Sequence, residues 1–430
     1  MKKEAKEPYI LPRASHNISR SQIDPDALKV MYRLLRNGFK AYMVGGAVRD
    51  ILLGRKPKDF DVATDARPGQ VKKLFANCFL IGRRFRLAHI RFKGGKVIEV
   101  ATFRREAEPD EDGQTDPHNT FGTPKEDAFR RDISINALFY DISTFSIIDY
   151  VGGLKDIEHK RVCIIGDPSE RYVEDPVRMW RVLRYASRQG FTIEHGTARA
   201  IEKHKYLLGS CSGSRLYEEL NKDLVSGFSA ELFCRMAERS MLSIILGDVG
   251  RIIEESPEAT EELARGLKLV DESVRRGDQV TQVVSYGLLL WPWACRIIRE
   301  HGPNHRDKMK LLTDVLAGSG IQLTIPKALK ADMIHVFEVL DRMICAIQTG
   351  SMRSSLLKKA SYKSASVMFA MITRGRAVDG EDAFLELFRE KYPLARSLGS
   401  QADKKKRHRR FRRRRQKASH QQPADSNVKL

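Results

Sequence analysis

The chain has 430 residues, 42% of them hydrophobic, which is enough apolar material for packed cores and excludes a wholly disordered protein. It carries 76 Lys and Arg against 55 Asp and Glu, a net charge of +21, so a polyanion is the expected partner, either nucleic acid or a membrane surface. The longest uncharged run, Gln279 to Cys295, is broken by Gln, Ser, Tyr and Pro and falls short of the ~20 apolar residues that a membrane span needs.

The opening MKKEAKEPYI has no apolar stretch of the kind a secretory signal requires. Six cysteines are scattered (Cys78, Cys163, Cys211, Cys234, Cys295, Cys345) without a CxxC pair, which argues against zinc and for buried thiols in a reducing cytosol.

In chain order, residues 1–24, with Pro8 and Pro12, read as a leader arm. Between Asp26 and Asn37, Leu28, Met31, Leu34 and Leu35 recur at helical spacing. Ala41–Val44 is a short apolar strand ending in Gly45-Gly46, and Ala47 to Leu53 is a helix closed by Gly54. A second strand is expected from Phe60 to Thr64, and Pro68 opens a helix to about Ala76. Strands Leu87–Phe92 and Lys96–Phe103 form a hairpin at Gly94-Gly95. Arg105–Gly122, rich in Glu, Asp, Pro and Gly, reads as a mobile loop.

Beyond Pro168 the pattern is helical, over Asp175–Gln189, Ala198–Leu207, Arg215–Val225, Glu231–Met241, Pro257–Arg275 and Met333–Gln348. Ser256 and Pro257 form a cap and first turn. Lys404–Lys417 holds 11 Lys or Arg and no acid, too charged to fold alone, and its removal still leaves +10. The expectation is an α/β or α+β head with a mixed sheet, a long all-α body and a disordered basic tail.

The chemistry starts at Asp59-Phe60-Asp61. On a strand, Asp59 and Asp61 point one way and Phe60 the other, into the core. Two such carboxylates can hold one or two Mg²⁺ ions, although DxD alone is more often a pair of solvated acids. Upstream lies Val44-Gly45-Gly46-Ala47-Val48-Arg49-Asp50. Its glycines permit close approach of a phosphate to a helix start, and Arg49 can fork onto phosphate oxygens. Glu99, in the strand KVIEVATF, is a candidate third acid.

This constellation resembles the nucleotidyltransferase superfamily that includes DNA polymerase β. Within it, it is similar to the class II branch of tRNA CCA-adding enzymes and bacterial poly(A) polymerases. The resemblance spans about residues 8–240 in ordered blocks. It implies that Arg130-Arg131-Asp132, with Asn136 just beyond, contacts ribose and triphosphate. It also implies that Asp149–Asp156 is a flexible hinge, and that Glu174-Asp175-Pro176-Val177-Arg178 reads the nucleobase. On a helix, Asp175 and Arg178 would share one face, which Arg181 and Arg184 continue toward the triphosphate. Arg215–Leu220 would support that helix. His89 reads as a structural histidine at a strand end.

Arg83-Arg84-Phe85-Arg86 resembles a basic stretch of the poly(A) branch, as do the leader and the basic tail; the acidic run Arg104–Asn119 departs from it. RNA contacts are expected from Arg83, Arg84, Arg86, Lys404, Lys405, Lys406, Arg407, Arg409, Arg410, Arg412, Arg413, Arg414 and Arg415. The implied division is a leader arm (1–24), a catalytic nucleotidyltransferase head (25–160), a helical nucleobase-recognition neck (161–240), an RNA-binding helical body (241–400) and a basic tail (401–430). The implied activity is transfer of AMP from ATP to RNA 3′ ends with two Mg²⁺, no membrane and, by analogy with the bacterial branch, a cytoplasmic location. Two alternatives stand: a CCA-adding enzyme using CTP and ATP on tRNA, and a non-catalytic RNA-binding protein on the same fold.

Overall fold

A computed structural model describes residues 7–82, 87–105, 121–300, 305–318, 320–374 and 383–392. The chain divides into two compact units, Met1–Leu216 with Glu231–Ile245, and Tyr217–Ala230 with Leu246–Leu430.

The first unit is built on strands β1 (Tyr9–Leu11), β2 (Ala41–Val44), β3 (Asp61–Thr64), β4 (Cys78–Ile81), β5 (Leu87–Arg91), β6 (Val97–Thr102), β7 (Leu138–Asp141) and β8 (Ser146–Asp149). They form one sheet in the order β1-β8-β7-β2-β3-β6-β5-β4. It is mixed, as expected: β3 and β6 run parallel, whereas β2 is antiparallel to β3 and β7. The helices of this part are α1 (Pro25–Arg36), α2 (Gly46–Leu52), α3 (Pro68–Leu74), α4 (Pro124–Phe129) and α5 (Gly153–Glu158).

One face of the sheet packs under α1 and α3. Asp24 caps α1 by accepting from Asp26 N at 2.8 Å, and Pro25 opens its first turn. That turn aims Ala27, Val30, Met31 and Leu34 into a core with Val62, Ile90, Ile98 and Val100. The other face carries a second core of Tyr42, Val44, Ala63, Phe103, Ala128 and Phe139. The outer strands β4, β5 and β6 alternate between buried and more exposed residues instead.

The leader expectation needs correction. Tyr9–Leu11 pairs antiparallel with β8, and Ile18 and Ile23 are buried in the first core, so residues 9–24 complete the head.

The first unit continues with a two-stranded parallel sheet, β9 (Arg161–Val162) and β10 (Thr192–Ile193), and with α6 (Pro168–Glu174), α7 (Val177–Gln189) and α8 (His195–His204). Further helices are α9 (Gly213–Leu224), α10 (Ser229–Ala237), α11 (Leu242–Leu246), α12 (Asp248–Glu255), α13 (Pro257–Arg276), α14 (Gln282–Glu300), α15 (His305–Gly318), α16 (Lys327–Thr349), α17 (Tyr362–Arg374) and α18 (Ala383–Lys391).

In the second unit, the uncharged run met in the sequence lies in α14, which is buried around most of its circumference and packs against α13, α16 and α17. No helix among the described residues is long and apolar enough to cross a membrane. All six cysteines are free.

Candidate active site

The site forms where β2 turns into α2. Gly45 holds φ +69° and ψ −130°, a conformation that residues with a Cβ rarely adopt. A Cβ at Gly45 would meet Arg131 Nη1 at 3.4 Å, and one at Gly46 would meet Arg49 Nη2 at 3.5 Å, so two guanidiniums lie against the glycine corner.

Val44 faces Asp61 in the β2–β3 register, which sets the carboxylate beside that corner. Strand β3 begins at Asp61, one residue later than expected; Asp59 is exposed just ahead of it, and Phe60 packs on the first core as expected. The parallel β3–β6 pair aligns Val62 with Val100, so the preceding residues Asp61 and Glu99 share a face. Asp61 keeps contact with solvent but is crowded by protein. Its pKa is pushed up to about 6, first by lost hydration and then by the negative charges of Glu99 and Asp59, against the pull of Arg131. The three acids therefore form one electrostatic patch.

Among the described residues no three Asp, Glu, His or Cys side chains stand in ready-made metal-ligand geometry. Glu99 Oε1 lies 3.3 Å from His89 Nε2, its direct partner across β5 and β6. His89 is thus a mid-strand neighbour of the acids and not a strand-end residue. The donor set still suits a hard divalent cation: oxygen ligands whose mutual repulsion a cation would relieve.

Arginines face these acids. Asp127, 1% exposed, binds both Arg130 (Nη2, 2.6 Å) and Arg131 (Nη2, 2.9 Å). Burial opposes the Asp127 charge, yet Arg131 and Arg130 hold its pKa below the ordinary value. Arg104 is drawn into the same cluster: its backbone N–H donates to Asp127 Oδ1 at 3.2 Å, and burial and the like charge of Arg130 push its pKa down to about 10. The Arg130 and Arg131 guanidiniums share that one carboxylate.

Arg49 departs from expectation. It is 2% exposed, donates to Asp50 Oδ1 at 2.7 and 2.8 Å and to Asn136 Oδ1, and lies over the Tyr185 ring. Its fork is directed inward at protein acceptors instead of outward at a ligand, and it braces α2 against Asn136.

The Asp175–Arg178 pairing also needs correction. Asp175 follows the end of α6 in an extended conformation, and α7 starts at Val177, so the two do not share a helix face. A residue before proline is driven out of the helical region, and Pro176 does this here. Arg178 instead donates to Asp132 Oδ1 at 3.1 Å and to Glu174, while Asp175 pairs with Arg215 at 2.7 Å. Arg181 reaches Asp132 Oδ2 at 2.6 Å, and Arg184, on the same helix, is half-buried. Arg215 supports this region, as expected of its block.

The expected hinge is tightly held. Asp149 accepts backbone N–H groups from Val151, Gly152, Gly153 and Leu154 at 2.8–3.1 Å. A Cβ on Gly153 would meet Ser134 O at 2.3 Å.

Asp127, Arg104, Arg171 and Tyr185 carry no site role in the sequence reading. Arg171, 7% exposed, donates to the carbonyls of Arg130 and Arg131 and so ties α6 to the arginine block. The spacing of Asp127 three and four residues before Arg130 and Arg131 was a signal in the sequence; nothing comparable marked Tyr185. Arg83, Arg84, Arg86 and the whole tail from Lys404 to Arg415 lie outside the described residues.

A mixed sheet with a glycine corner, an adjoining acid patch and facing arginines defines a nucleotidyltransferase head. The family model described as "Poly A polymerase head domain" matches residues 41–163, and "Probable RNA and SrmB- binding site of polymerase A" matches residues 190–250. Poly(A) polymerase I of Salmonella typhi is 40% identical over 351 residues, covering 78% of this chain and 75% of that protein. The CCA-adding enzyme of Bacillus pumilus is 42% identical over 218 residues, 50% of this chain and 52% of that protein. The solved Bacillus stearothermophilus CCA-adding enzyme in complex with CTP superposes with a TM-score of 0.58 at 26% identity, covering 86% of this chain and 83% of that one. The chain belongs to the poly(A) polymerase family, a group of polynucleotide adenylyltransferases.

Proposed function

We propose that this chain adds AMP from ATP to RNA 3′ ends without a template. The observation that carries the reading is the reach of the sequence likeness: the poly(A) polymerase I of Salmonella typhi aligns over 78% of the chain, whereas the CCA-adding enzyme of Bacillus pumilus aligns over 50%. The reaction needs little covalent work from the protein. The RNA 3′-oxygen bonds to the α-phosphorus of ATP, the bond from that phosphorus to the bridging oxygen breaks, pyrophosphate leaves, and the hydroxyl proton is released.

Asp59 and Asp61, with Glu99 beside them, would hold Mg²⁺, two ions in the full site; when bound, the metal supplies charge neutralisation and acidifies the attacking hydroxyl. Support comes from the clustering of Asp61 with Glu99 and Asp59, whose mutual repulsion a divalent cation would relieve. Arg130 and Arg131 receive the triphosphate, Arg131 from beside the Gly45-Gly46 corner. Arg49 and Asn136 act as positioning residues for that corner. Asp132, held by Arg178 and Arg181, orients the ribose, and Asp175, Arg178 and Arg184 present polar groups to adenine.

The residue 190–250 region, the helices beyond it, Arg83, Arg84, Arg86 and the basic tail would grip RNA by its backbone. The division into head, neck, body and tail is proposed on the same basis, as is action in the cytoplasm.

Extension of a labelled non-tRNA oligonucleotide with ATP as sole nucleotide tests the reading. A long ladder is expected. Extension restricted to tRNA and stopping after three additions with CTP and ATP would instead show a CCA-adding enzyme. RNA binding without pyrophosphate release would show a non-catalytic binder.

A further inference from the structure

The second face of the head sheet is covered over only part of its width. Over β8, β7, β2 and β3 it carries the core around Phe139. Over β6, β5 and β4 it stays open among the described residues: Phe79 is 48% exposed, Ile81 45% and Val97 38%, with Arg91 exposed among them. Register joins this open part to the acids. Phe79 faces His89, His89 faces Glu99, and Glu99 lies beside Asp61. One row of side chains thus runs from the sheet edge to the carboxylates, across three strand spacings or about 14 Å. The Arg91 guanidinium stands 4.5 Å from the centre of the Phe79 ring.

We infer that this open face of β4, β5 and β6 seats the RNA a few nucleotides upstream of its 3′ end, with Phe79 stacking on a base and Arg91 meeting the adjoining phosphate. The inference rests on the proposed function and deepens it. A solvent-facing aromatic on a sheet, paired with a cation and continuous with the catalytic row, has the chemistry by which single strands are held: stacking that tolerates any base, beside a positive charge for the backbone. The +21 net charge favours the same occupant over an acid-poor protein surface. The spacing from Asp61 is too long for the terminal nucleotide itself and suits its upstream neighbours. Phe79 would then act on primer affinity and leave ATP binding untouched.

The test uses the full chain without ATP or metal, and an oligoadenylate carrying 2-aminopurine at each of the last positions in turn. Wild type is expected to quench the probe most strongly at one position upstream of the end. Phe79→Ala should abolish that peak, weaken RNA binding by about tenfold or more, and raise the RNA KM with the ATP KM unchanged. Phe79→Trp should restore both signals. Arg91→Gln should lower the salt dependence of binding by about one phosphate contact. Unchanged quenching and affinity in Phe79→Ala would overturn the inference and leave the face to a protein partner. Equal losses in RNA and ATP KM would overturn it also. Because this arm needs no catalysis, position-specific quenching by a wild type that fails to extend RNA would uphold the platform and reject only the polymerase reading.

Discussion

Val44 and Asp61 face one another across the antiparallel pair of β2 and β3. The residue after Val44 is the glycine that turns the chain, and the carboxylate opposite is the one whose pKa is pushed up to about 6. Sheet pairing therefore fixes the distance between the glycine corner and Asp61, whereas Asp59 precedes the strand.

Asp59→Ala or Asp61→Asn should lower AMP incorporation by about 10³-fold, the scale of several kcal/mol of lost charge stabilisation, while RNA affinity persists. Single-turnover extension and a filter-binding measurement on the same preparation check this. Wild-type incorporation by either variant would remove the acids from the mechanism.

The same Asp61→Asn change should make the metal-free protein more stable. The folded pKa of Asp61 lies above the ordinary aspartate value, so its charge costs nothing below pH ~3.9 and the cost is complete above about 6. Discounted for solvent screening, the gain at pH 7.5 is about 1 kcal/mol and vanishes near pH 4. Thermal melts in chelator across that range read it directly. A variant that melts lower at pH 7.5 would contradict the crowding of acids described above.

Asp127→Asn should destabilise the head by about 3 kcal/mol at neutral pH, because Arg130 and Arg131 lose a shared buried counter-charge. Here the sign is opposite. The folded pKa is lowered, so the contribution is present above the unfolded value and is lost as pH falls through the folded one. The stability gap between wild type and variant, followed by urea unfolding, should close as the solution is made acidic. ATP KM should rise in parallel, since Arg131 is then freer to swing away from the glycine corner.

Gly153→Ala places a methyl group 2.3 Å from the Ser134 carbonyl oxygen. Either α5 or the segment leading to β7 must shift, with an expected cost of about 1–3 kcal/mol. Gly152→Ala has open space around its Cβ, and its expected penalty comes instead from φ +88°. A larger loss of melting temperature at Gly152 than at Gly153 would be the contrary result.

Much of the head was legible because local signals agreed. Four apolar residues followed by Gly-Gly gave β2 its observed bounds, and Ser256-Pro257 marked the start of α13. Strands β1, β4, β7 and β8 are not marked in the sequence pattern. β7 and β8 are buried on both faces, so they lack alternation, and β4 is a four-residue edge strand. Helix α14 was hidden by Pro292 and by apolar residues on every side. The acid patch was legible as a motif, since DxD beside a glycine corner is local in sequence. The arginine network was not: Arg178 chooses Asp132, 46 residues away, and Arg49 chooses Asn136, 87 residues away, and these partners are set by packing alone. Pro176 is the readable sign that Asp175 leaves the helix.

Of the eight strands described in the head sheet, β1 leaves the ribosome first, yet among them its only neighbour is β8, with Tyr9 opposite Asp149. At common synthesis speeds roughly ten seconds separate the two. Throughout that interval the exposed Tyr9 and Ile10 have no pairing edge, and a nascent chain stalled before Asp149 would present them to chaperones.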